Sequence, residues 1–105
     1  MERVYKIVEK DDDVIKTIFH GYNKSRTLPQ GKWLRAESKI VNDGGGGKQY
    51  LSGWHVIKDE KAALHFLKTK FRKRLDKLTV IPCMAIALRQ KPTNPLVYLT
   101  DWIKL

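Results

Sequence analysis

Long apolar runs are missing from this chain. No stretch reaches the roughly 18 consecutive apolar residues that a membrane-crossing helix needs. The opening "MERVYKIVEK" alternates charge with apolar side chains, unlike a secretory signal. The expectation is a soluble, cytoplasmic protein without a membrane partner. Cysteine is down to one, Cys83, which excludes an internal disulfide and lies inside the apolar run "LTVIPCMAIAL" as a buried, reduced thiol. His20, His55 and His65 lack metal-ligand spacing, so neither a metal nor another cofactor is expected. No Ser, His and Asp arrangement stands out, and no carboxylate pair sits on an apolar background. The acidic residues gather in "EKDDD", a solvated turn, and the expectation is a protein that is not an enzyme.

Acidic residues are also scarce, 11 against 21 lysines and arginines, which leaves a net charge of +10. The excess is uneven. Residues 1–23 carry four basic side chains against five acidic ones, while residues 24–48 sum to +4, residues 58–77 to +5 and the remaining tail to +2. A surface of this kind attracts phosphates or acidic faces through its long-range field, and salt weakens that attraction. What is present in quantity is core material: 42% of the 105 residues are hydrophobic, enough for one domain spanning 1–105 and too much for a disordered chain.

Period-two alternation marks a strand at 3–8, a β-branched run without alanine or leucine that stops at a glycine marks a second at 14–22 ending near His20 and Gly21, and alternation marks two more at 32–41 and 50–57. A short helix capped by Asp13 is the alternative for the second. Over 32–41, Leu34, Ala36, Ser38 and Ile40 take one face and Trp33, Arg35, Glu37 and Lys39 the other. The four glycines of "NDGGGGKQ" make 42–49 a flexible turn. A phosphate-cradling loop would be followed by Lys-Ser/Thr opening a helix, and here strand residues follow. Asp59 is a good N-cap and Glu60 suits a first turn. Leu64, Leu67, Phe71, Leu75 and Leu78 form an apolar stripe that predicts one principal helix over about residues 59–76. Residues 78–89 read as a strand covered on both faces, with Pro82 at a bulge, bend or edge. Residues 96–105 close the chain as a strand and a short turn. The fold class is α+β: a bent, mostly antiparallel sheet packed against one principal helix.

Two basic groupings are candidate binding surfaces. On the helix, Lys61, His65, Lys68 and Arg72 form a stripe beside the apolar one, with Lys73 among the cations next to it. Their bland reading is a solvated helix face, but few acids are near enough to offset them. In "YNKSRTLPQGKWLRAESK", Arg26, Lys32, Arg35 and Lys39 interleave with Tyr22 and Trp33, a pattern that grips phosphate and stacks a base. A basic edge strand that guards against aggregation is its bland counterpart. Trp54 and His55 alternate on a strand, so they do not form a catalytic pair, and Trp54 is either core or one wall of a ligand cleft.

Three stretches, "IFHGY" at 18–22, "SGWHVIKDEKAALHF" at 52–66 and "PLVYLTDWIKL" at 95–105, together resemble the ADP-ribosyltransferase-like fold, which includes RNA 2'-phosphotransferases and bacterial toxin domains. The resemblance implies a nucleotide pocket in which His20 holds a ribose and Trp54 stacks nicotinamide, with Tyr22 converging on them. Where the group carries its catalytic glutamate, this chain has Asn94 and Pro95. Without that carboxylate an oxocarbenium-like transition state has no stabiliser, so the resemblance implies binding without reaction. Small size, high basicity and the "SGWHV" stretch also resemble small phage and prophage proteins that bind host machinery or signalling nucleotides, inhibitors of CRISPR effectors among them. That resemblance implies an anti-defence role in the host cytoplasm. The expected partner is nucleic acid or a nucleoprotein complex, with an acidic protein or a nucleotide ligand as alternatives.

Overall fold

The computed structural model describes residues 1–18, 27–37, 39–42, 49–92 and 94–105. The order is β1 (Glu2–Asp11), β2 (Val14–Lys16), β3 (Trp33–Arg35), β4 (Ile40–Asn42), β5 (Gln49–Leu51) and β6 (Trp54–Val56). Helix α1 (Glu60–Lys70) and a 3-10 turn (Arg72–Arg74) come next, followed by β7 (Leu78–Ile86), β8 (Arg89–Lys91), β9 (Asn94–Thr100) and β10 (Trp102–Lys104). The architecture is α+β: a bent, antiparallel sheet with one principal helix against β1 and β7.

β1 and β7 form the backbone of the fold, paired antiparallel from Glu2↔Ala85 to Glu9↔Leu78. β2 lies outside β1, while β10 and then β3 continue beyond β7, giving the order β2-β1-β7-β10-β3. Pro82 fits in β7 because the ladder has no use for its missing N–H. Its partner Tyr5 turns its own N–H and C=O away from β7, bonding Ile57 at 2.8 Å in both directions. The Pro82 nitrogen therefore points to the other side, and β10 pairs only as far as Lys104↔Met84.

The strand expected over 78–89 ends at Ile86. Ala87 takes a left-handed conformation (φ 64), which breaks the ladder. β7 pairs with β10 and β8 with β9, so 78–91 and 94–104 are one long hairpin bent at Ala87 and Asp101. Arg89 Nη1 on Asp101 (3.0 Å) and the Thr100 hydroxyl donated to the Ile86 carbonyl fasten the bend. Beyond it, β9 pairs with β6, and Ile57 bridges to Tyr5, so the second sheet (β6-β9-β8) meets the first along β1.

Two expected strands are each divided. Residues 32–41 split into β3 and β4, and 50–57 into β5 and β6, because β4 and β5 pair as a separate ribbon. Leu34 is fully buried, whereas Ile40, expected on the same face, is 63% exposed. The expected strand at 14–22 is described only as Val14–Lys16, and the glycines of 42–49 lie outside the described residues.

In α1 the Asp59 carboxylate accepts from the Ala62 N–H at 2.9 Å, as the capping pattern predicts. The apolar stripe needs correction. Ala63 and Leu67 are buried and Phe66 half-buried, but Leu64 and Leu75 are exposed. The α-helix stops at Lys70, so the 3.6-residue period no longer governs Leu75 and Leu78, and the small Ala63 marks the side of closest approach to neighbouring elements. The main core gathers Val4, Leu28, Leu34, Trp54, Val56, Cys83, Ala85 and Ile103.

Candidate functional site

Register decides which side chains share the outer face of the first sheet. Leu34, Ile103, Ala85 and Val4 point into the core. Their neighbours along each strand must then point outward. One cross-strand row runs Trp33, Lys104, Met84, Arg3, and the next runs Arg35, Trp102, Ile86. Arg35 lays its guanidinium over the Trp102 ring, 5.9 Å from the centroid. Trp102 and Ile86 are exposed, as are Arg35 and Arg3, while Trp33, Met84 and Lys104 are half-buried. The face thus alternates flat aromatic surface with cations. Of these residues, the sequence reading singled out Trp33 and Arg35 and missed Trp102, Lys104 and Arg3. The signal was in "DWIKL", where Ile103 inward forces Trp102 and Lys104 outward, but the segment read as a closing turn.

The second grouping lies along α1 and the turn after it. Lys61, His65, Lys68, Lys70, Arg72, Lys73 and Lys77 are all exposed. The ion pairs among the described residues engage other cations: Lys16 with Asp11, Lys58 with Glu2 (3.9 Å), Arg74 with Glu9 (3.3 Å) and Arg89 with Asp101. Asp59 is occupied as the N-cap. Arg72 sits past the end of the α-helix, so it does not extend the Lys61, His65, Lys68 row with regular spacing. Lys32, just before β3, and Lys39, just before β4, are exposed, and Arg26 lies outside the described residues. α1 packs on β1 and β7, whereas β3 pairs with β10.

No protein-family model, curated protein or solved structure matches the chain. Function has to be read from the side chains themselves.

The nucleotide pocket implied by resemblance rests on His20, Tyr22 and Trp54, of which only Trp54 is described. It is 7% exposed and donates its indole N–H to the Leu34 carbonyl at 3.0 Å. Trp54 is therefore core, and it is also one wall of a cavity of about 380 Å³. His55 is exposed, so the two side chains diverge as the alternation requires. Tyr5, Tyr50, Phe66 and Phe71 supply further aromatic surface to the cavity, and Lys6 and Lys91 its cations.

Lys6 breaks the pattern of its strand. It occupies an inward position between Val4 and Val8, and only 7% of it is exposed. Its ammonium donates to the His55 carbonyl at 3.0 Å and lies 5.6 Å from the Trp54 ring centroid. Burial pushes its pKa down to about 8, against an opposing charge interaction with Cys83. Burial in turn pushes the Cys83 thiol up to about 11, against the pull of Lys6. Among the described residues no group of three His, Cys, Asp or Glu side chains could hold a metal ion. No helix there is long and apolar enough to cross a membrane.

Proposed function

We propose that this chain is a non-catalytic binding protein that holds single-stranded nucleic acid, bare or within a nucleoprotein complex, on the outer face of its first sheet. The observation that carries the reading is the pair of cross-strand rows that sets Trp33 and Trp102 among Arg35, Lys104 and Arg3. Successive bases stack on indole rings while cations track the phosphates, a combination that tolerates any base sequence. Arg35 over Trp102 adds a second planar group on which a base can stack. The cations of α1, outside the ion pairs that engage Lys58 and Arg74, contribute long-range attraction. Interference with a nucleoprotein nuclease, the role implied by the phage-type resemblance, would be one use of such a surface.

Fluorescence anisotropy with short single-stranded DNA and RNA across a salt series tests the proposal. If about five phosphates are engaged, log K falls with log salt at a slope of roughly −3.5. Trp102→Ala should cost about 1–3 kcal/mol of binding. No binding at low salt would refute the reading. Salt-sensitive capture of an acidic protein that survives nuclease treatment, without nucleic-acid binding, would replace it.

A further inference from the structure

Lys6 calls for an explanation that the nucleic-acid face does not supply. A lysine between two buried valines on an inward strand position is a local inconsistency of the kind that marks function. Its ammonium has three N–H donors, yet one carbonyl and one indole face are its described partners. Buried charges are ordinarily paired, because removing them from water costs several kcal/mol per ion. Here no carboxylate among the described residues pairs with the ammonium, and none lines the cavity beside it. Methionine or leucine would fill the same position without that cost.

The cavity has the form of a small-molecule site. Its volume of about 380 Å³ falls within the roughly 300–1,000 Å³ of such sites. Its walls are mainly aromatic and aliphatic, with a few polar side chains such as Thr17 and Asn94. Lys91, held 5.8 Å from the Tyr50 ring centroid, is a second lining cation.

We propose that this cavity binds a small organic anion, one carboxylate or phosphate head on a flat apolar body, with the head at Lys6 Nζ and the body against the Trp54 indole. The anion completes the hydrogen bonding of the ammonium and supplies the missing counter-charge. The flat body replaces water against aromatic walls. This site is separate from the nucleic-acid face and stands or falls independently of it.

Titration of the full chain with 1-naphthoate, 1-naphthyl phosphate, 1-naphthylmethanol and 1-naphthylmethylamine, followed by calorimetry and by NMR, tests the proposal. The expected result is that at least one anion binds ten-fold or more tighter than the alcohol and that the amine binds weakest. The stronger of the two anions identifies the head group. Intermolecular contacts should run from the naphthyl ring to Trp54, Tyr5 and Phe66, and Lys6→Met should reduce anion binding to the level of the alcohol. If Lys6→Met does not fold, the anion preference and ring contacts of the unmodified chain decide the matter. Equal affinity for all four probes, no binding at all, or contacts that miss Trp54 and fall on the exposed cations Lys61, Lys68, Arg72 and Lys73 would overturn it, as would an anion preference that survives Lys6→Met.

Discussion

Lys6 and Gly53 show how much single positions constrain this fold. Lys6 has a folded pKa of about 8 against an ordinary 10.5. Between those values the unfolded chain binds the extra proton, so stability climbs with pH across that window. Cys83 acts in the opposite sense. Its folded thiol keeps its proton to about 11 while the unfolded one loses it near 9.0, so stability falls between those values. Stability should therefore rise by about 1 kcal/mol from pH 8 to 9 and level off above that, as the two effects cancel. Urea unfolding at a series of pH values checks this, and in Lys6→Met the rise should vanish. Gly53 is fixed by close approach: a Cβ there would lie 2.7 Å from the Thr100 carbonyl oxygen and 3.1 Å from Arg89 Nη2. Arg89 Nη2 also holds the Ser52 carbonyl at 2.6 Å, so the neighbours have little room to give. Gly53→Ala should cost about 2 kcal/mol, a fall in Tm of roughly 10 °C. Nothing in the sequence around Gly53 reveals the approach of a carbonyl from residue 100.

At the scale of elements, local chemistry was readable and long-range pairing was not. The Asp59 cap and the helix after it were legible because capping is decided within four residues. The alternation of β1 was legible too, apart from Lys6. The break of 78–91 at Ala87 was not, because a left-handed alanine has no sequence signal and is imposed by the bent hairpin. The apolar stripe failed where the helix ended early, which gives a direct comparison. Leu67→Ala should destabilise by about 3 kcal/mol, whereas Leu75→Ala should change stability by less than about 0.5 kcal/mol. Thermal unfolding of the two variants distinguishes this packing from a helix that continues through Leu75.

For the whole molecule, composition gives the excess of positive charge, and the register of four strands sets some of those cations beside the Trp33 and Trp102 rings. Trp33 and Arg35 were visible as candidates, but Trp102 and Lys104 join them only once β10 pairs with β3 across some seventy residues of chain. A contact of that separation leaves no trace in local pattern. The three tryptophans make the central claim directly measurable, since Trp33 and Trp102 lie on the outer face and Trp54 is in the core. The deciding measurement is an NMR titration of the indole N–H signals with a short single-stranded oligonucleotide. The Trp33 and Trp102 signals are expected to shift together while Trp54 stays still. Shifts at Trp54 alone, or binding that leaves all three unmoved, would contradict the assignment of this face.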